Sequence, residues 1–122
     1  MTWPDVEGFI ASALKHSKGE FNIDQAKAMV VNGLWTLLVG VEDGKILGAA
    51  TLNFFNRPDA RVAFVTAIGG KMIGNVDTFK QLKLFAASNG ASVIEGAARD
   101  SVARLWRRFG FVTKYQIVGV RI

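Results

Sequence analysis

Three apolar, β-branched runs dominate the middle of the chain, at residues 34–42, 46–55 and 61–68, and the connections between them are very short. The first connection holds Asp43-Gly44, a pair suited to the left-handed backbone of a two-residue hairpin. The second holds Arg57-Pro58-Asp59, again a turn. Parallel neighbours need a crossover of about a dozen residues or more, so these runs are restricted to an antiparallel meander. A glycine-bearing turn follows, Gly69-Gly70-Lys71-Met72-Ile73-Gly74. Val76, Phe79, Leu82, Phe85 and Ala86 then recur at helical spacing, and Asn89-Gly90 closes that helix. Residues 92–97 read as a short apolar strand in which Glu95 is the one charge. A basic helix over about 100–109 ends at Gly110, and residues 111–122 predict a last strand.

Two helices precede the meander. Thr2-Trp3-Pro4-Asp5 combines a capping hydroxyl, a proline in the first turn and an acid near the positive helix end. Trp3, Val6, Phe9, Ile10, Ala13 and Leu14 carry one apolar stripe to about His16. Asn22 and Gln25 have the spacing of a capping box, and the helix they start stops at Asn32-Gly33. The order ααβββαβαβ predicts an α+β fold, with a mixed central sheet and helices on both faces, because crossovers between parallel strands put helices outside. No linker, repeat or low-complexity tract interrupts it, so residues 1–122 read as a single domain.

Composition narrows the chemistry. The chain has no cysteine and one histidine, which excludes disulfides, thiolate metal sites and a cysteine nucleophile. It shows neither an apolar run of about 20 residues nor a basic, apolar leader, so a cytoplasmic protein without a membrane segment is expected. Residues 1–60 hold five Lys/Arg against seven Asp/Glu; residues 61–122 hold ten against three. That asymmetry suggests an anion partner for the C-terminal half. Arg104, Arg107, Arg108 and Lys114 come without an interleaved aromatic platform, so a phosphorylated cofactor is favoured over nucleic acid.

Among single residues, Glu95 either faces a cleft as a general base or sits on a solvated sheet face. His16 reads as a helix-end residue. The glycines before the third helix either seat a phosphate on free backbone N–H groups or serve a tight turn. Trp106 shares a helix face with Val102, Ala103 and Phe109, which is also the pattern of a core residue.

The element order, the glycine turn and the helix-Gly-Phe unit at Arg107-Arg108-Phe109-Gly110-Phe111 together resemble the GNAT superfamily of acetyl-CoA-dependent N-acetyltransferases. Lys71-Met72-Ile73-Gly74-Asn75-Val76 lies where that family carries Gln/Arg-x-x-Gly-x-Gly/Ala: Gly74 matches, Lys71 keeps the charge, and Val76 departs from the small residue. Leu105, Gly110 and Phe111 match the later motif, with Trp106 in the place of its tyrosine and Arg99 in that of its asparagine. The resemblance implies acetyl transfer from acetyl-CoA to a small-molecule or protein amine. It implies that Gly70, Lys71, Met72, Ile73, Gly74 and Asn75 hold pyrophosphate, that Ala67, Ile68 and Gly69 bind the pantetheine arm and polarise the carbonyl, and that Arg99 and Ser101 approach the far end of the cofactor. It makes Trp106 the stand-in for the tyrosine that protonates the leaving thiolate; the candidate base, Glu95, comes from its place as the lone acid of its strand. An indole N–H donates a hydrogen bond without giving up its proton, so catalysis is expected to be weakened. The Thr-Trp start and the length are similar to short acetyltransferase-like morphogenesis proteins of T7-like bacteriophages, which implies an alternative role in virion assembly or binding of a phage or host protein. The chain is expected to be a monomer or homodimer that lacks the family's usual first strand.

Overall fold

The computed structural model describes residues 3–14, 22–70, 76–97, 100–114 and 118–122. Helix α1 spans Trp3–Leu14 with Asp5 in its first turn. Helix α2 spans Ile23–Val31 and opens with the expected capping box: Asn22 Oδ1 accepts from the Gln25 amide at 2.8 Å, and Gln25 Oε1 accepts from the Asn22 amide at 2.9 Å. Each bond satisfies a backbone N–H that the helix start would otherwise leave unpaired.

The meander consists of β1 (Thr36–Glu42), β2 (Lys45–Arg57) and β3 (Ala60–Gly70). Asp43 and Gly44 both take positive φ, 51° and 76°, as a type I′ hairpin requires. Helix α3 (Val76–Ser88) carries the chain across to β4 (Val93–Gly96), and α4 (Asp100–Arg107) follows. The sheet order is β1-β2-β3-β4, antiparallel except for the parallel β3–β4 pair. The architecture is therefore the expected α+β sheet of mixed direction.

Helices cover both faces. On one, Val6, Ile10 and Leu14 of α1 and Ala26 of α2 pack with Trp35, Ala49 and Ala67. On the other, Leu82 of α3 and Trp106 of α4 pack with Leu52 and Val65, and Phe85, Phe109 and Phe111 close around them. Burying two separate apolar faces of one sheet is the stable layered solution for such a chain.

Two expectations are corrected. The third strand does not stop at residue 68 but runs through Gly69 and Gly70, so the glycine pair belongs to the sheet. The last strand expected over 111–122 does not form in the described residues of that segment, 111–114 and 118–122. Its alternating pattern is right for a strand, but a strand also needs a neighbour to pair with. Among the described residues no helix is long and apolar enough to cross a membrane.

Candidate active site

The place where β3 and β4 part is the centre of the site. Val62–Val65 pair with Val93–Gly96, and β4 ends there. β3 continues through Thr66–Gly70 with β2 on one side and, among the described residues, no strand on the other. Thr66 makes the transition. Thr51 pairs with Ala67 and Leu52 with Val65, so Thr66 is an extra residue, a β-bulge. Its hydroxyl donates to the Thr51 carbonyl at 3.0 Å, and that single hydrogen leaves Thr51 Oγ1 as the donor in the 2.7 Å contact between the two hydroxyls. Thr51 is fully buried, and this exchange is what satisfies it.

Beyond the bulge, α1 lies directly on the strand. A Cβ at Gly69 would stand 2.2 Å from the Phe9 carbonyl oxygen, and one at Gly70 would stand 2.4 Å from the Leu47 oxygen. Gly70 also has φ +79°. These two glycines are therefore required by backbone packing and backbone conformation, a reason independent of any ligand. On the opposite face, Val65 and Ile68 line a small apolar cavity of about 20 Å³ with Phe79, Trp106, Phe109 and Phe111. Phe79 stacks on Phe109 at 5.0 Å between centroids, and Trp106 lies 5.2 Å from Phe111. A Cβ at Gly96 would stand 2.8 Å from the Trp106 ring, so the end of β4 is shaped around that indole.

Glu95 has a different task from the base expected of it. It is 7% exposed and bound on three sides. Arg57 grips it with both terminal nitrogens, Nη1 on Oε2 and Nη2 on Oε1, the latter at 2.7 Å. Lys114 Nζ donates to Oε2 at 2.8 Å. These donors, Arg57 first, outweigh the opposing effect of burial and hold the carboxyl at about 2, from an ordinary value of 4.5. A carboxylate so stabilised accepts a proton poorly at neutral pH. It ties the end of β2 and the segment after α4 to β4. The signal was present in the sequence: a lone acid in an apolar strand is buried only when a cation pairs with it.

Of the other predicted residues, Ala67, Ile68, Gly69 and Gly70 gather on the unpaired half of β3. Trp106 stands across from them as a buried core residue. Lys71, Met72, Ile73, Gly74, Asn75 and Arg99 lie outside the described residues, as do His16 and the side chain of Ser101. Bulged Thr66 and the Phe79–Phe109–Phe111 wall belong to the site and were not anticipated. A bare strand edge presents alternating N–H and C=O groups, and the facing wall is aromatic. That combination fits an arm bearing amides on an otherwise apolar chain, as the pantetheine of coenzyme A does.

Solved structures share this fold. A putative acetyl transferase from Pyrococcus furiosus superposes with a TM-score of 0.71 at 12% identity, covering 98% of this chain and 93% of that one. A ribosomal-protein-alanine N-acetyltransferase from Brucella melitensis biovar Abortus gives 0.68 at 14%, covering 100% and 96%. A predicted acetyltransferase from Clostridium acetobutylicum, solved with acetyl-CoA, gives 0.65 at 14%, covering 99% and 92%. No protein-family model matches the chain, and no curated protein does. The fold is that of the acetyltransferases, as the GNAT resemblance implied; none of these three relatives bears on the bacteriophage part of it.

Proposed function

We propose that this chain is an acetyl-CoA-dependent acetyltransferase acting on an amine, with the coenzyme's arm laid along Thr66–Gly70. The observation that carries the reading is the parting of β3 from β4 after Val65 and Gly96, opposite an apolar wall. Bound there, the coenzyme supplies an activated thioester. The chain supplies position: main-chain groups of Ala67, Ile68 and Gly69 orient the acyl end, and α1, pressed against Gly69, keeps that edge from shifting. The aromatic wall excludes water, which strengthens any hydrogen bond made to developing charge. Trp106 walls the arm and donates at most a hydrogen bond. A thiol with a pKa of about 8.5, taking cysteine as its model, departs as the thiolate without much help. Glu95 remains an anchor, so the acceptor has to arrive as the free amine or lose its proton to another group.

Thermal denaturation with acetyl-CoA and with free coenzyme A is the direct test. Coenzyme at about 100 times its dissociation constant adds about 2.7 kcal/mol of stability. An unchanged melting temperature at millimolar coenzyme would overturn the proposal. Where binding is seen, thiol release with a panel of small amines and peptides reads transfer itself. Gly74→Trp, placed by the GNAT resemblance in the pyrophosphate loop, should abolish the shift.

A further inference from the structure

The apolar cavity beside β3 reaches further into the protein than the edge on which the coenzyme's arm is seated. Ile68 on β3 and Ala50 on β2 are register partners, and both line it. It therefore runs inward from the open half of β3, beneath α3, as far as β2. Trp106 and Phe111 line it too, so its outer end is the wall of the site itself. An arm laid along Thr66–Gly70 follows the strand and leaves this inward space unfilled. A group that branches from the arm across the strand would enter it.

Ala50 makes the space. It is fully buried and stands in a cross-strand row between Leu38 of β1 and Ile68 of β3. Both neighbours carry large branched side chains, whereas alanine contributes a methyl group. The cavity measures about 20 Å³, where about 10–15 Å³ admits one water-sized group. A methylene is of similar size, so one or two of them fit. The lining is aliphatic and aromatic apart from the Thr78 hydroxyl and the Trp106 indole nitrogen. A buried water there would have to find about three polar partners, so the space favours carbon. Its inner end is closed by α3: Thr78 and buried Leu82 line both this cavity and a groove of about 380 Å³ between α3 and β1. They are the partition between the two.

We propose, resting on the seating of the coenzyme given above, that this cavity receives the acyl chain, so that the protein takes propionyl in preference to acetyl, with Leu82 as the wall that limits chain length. With the carbonyl held at Ala67–Gly69, the carbons beyond it in a propionyl group occupy the space, and an acetyl group leaves part of it empty. The transfer step is the same for both. The amine nitrogen bonds to the carbonyl carbon, the C–S bond breaks with its electron pair on sulfur, and the proton lost by the amine ends on the thiol.

Calorimetric titration of the whole chain with free coenzyme A and with its acetyl, propionyl and octanoyl thioesters tests this. Propionyl-CoA should bind about fourfold tighter than acetyl-CoA, the effect of one buried methylene. Octanoyl-CoA should bind more weakly than propionyl-CoA, because Leu82 stands in its way. Ala50→Val fills the cavity with protein carbon and should erase the propionyl preference. Leu82→Ala joins the cavity to the groove and should raise octanoyl-CoA binding, relative to acetyl-CoA in the same variant, by about tenfold or more, since several methylenes become buried. Each ranking is read against free coenzyme A in the same protein. The unaltered chain and Ala50→Val decide the matter even where Leu82→Ala fails to fold. Three results would overturn the inference and leave the coenzyme site standing: acetyl-CoA binding as tightly as propionyl-CoA, a propionyl preference that survives Ala50→Val, or octanoyl-CoA matching propionyl-CoA in the unaltered chain. Free coenzyme A that fails to bind would instead overturn the seating of the arm, and this inference with it.

Discussion

The two halves of β3 are one continuous strand in two different settings. From Val62 to Val65 the strand lies between β2 and β4, with Val62 and Ala63 fully buried. From Thr66 to Gly70 it keeps β2 but, among the described residues, has no strand on its other side, and it leans on the backbone of α1. The near half has the pairing of an ordinary interior strand. The far half exchanges one strand neighbour for helix packing and an unpaired polar edge. A single extra residue, Thr66, separates a segment paired on both sides from one that, among the described residues, keeps an open edge.

Breaking the far half should have the largest effect. In Gly69→Ala the new Cβ meets the Phe9 carbonyl at 2.2 Å, and neither backbone can yield without moving the helix. The expected loss is about 3 kcal/mol or more, at the upper end of overpacking costs. Urea denaturation showing a loss below ~1 kcal/mol would mean that α1 is not seated there.

Breaking the near half comes next. Arg57→Ala leaves Glu95 buried with Lys114 as its remaining ion-pair partner. Removing one member of a fully buried pair costs about 3–5 kcal/mol, and a third of Arg57 is exposed, so about 2–3 kcal/mol is expected. The pH dependence carries a definite sign. Glu95 titrates lower folded than unfolded, so its contribution is complete above 4.5 and disappears as pH falls toward about 2. Denaturation midpoints of the native chain should drop across that window, and Arg57→Ala should flatten the drop. An equal slope in both proteins would show that other carboxylates govern acid unfolding.

The junction itself should be the least sensitive. Thr51→Val removes the hydroxyl that donates to Thr66 but leaves Thr66 bonded to the Thr51 carbonyl. About 1 kcal/mol is expected, the net worth of one hydrogen bond. A much larger loss would mean that the bulge depends on the hydroxyl pair more than on strand register.

What could be read from the sequence was mainly local. Asn22 with Gln25, Asp43 with Gly44, and Asn89 with Gly90 each act within four residues, and each marks its element in the structure. The site depended on longer reach. Thr66 bulges because of how β3 registers against β2, and Gly69 is small because Phe9, sixty residues earlier in the chain, passes over it. Glu95 finds Arg57 at a separation of 38 residues, and nothing in its own strand names that partner. The unformed strand over 111–122 fails in the other direction: the local pattern is present, but among the described residues no strand pairs with it.

The bulge at Thr66 also bears on how a lineage carrying this fold can vary. Val65 and Ile68 face α3 and α4, whereas Ala67 faces α1, so the odd and even positions exchange faces at Thr66. Replacing Thr66 by another residue leaves that exchange in place. Deleting its codon would place Ala67 directly after Val65, opposite Thr51 and Leu52 as now, so the bulge would vanish while every side chain beyond it kept its face. Thr66 is thus the position of β3 where a three-nucleotide deletion is absorbed, whereas the same deletion among Ala67–Gly69 would turn the residues beyond it to the other face of the sheet.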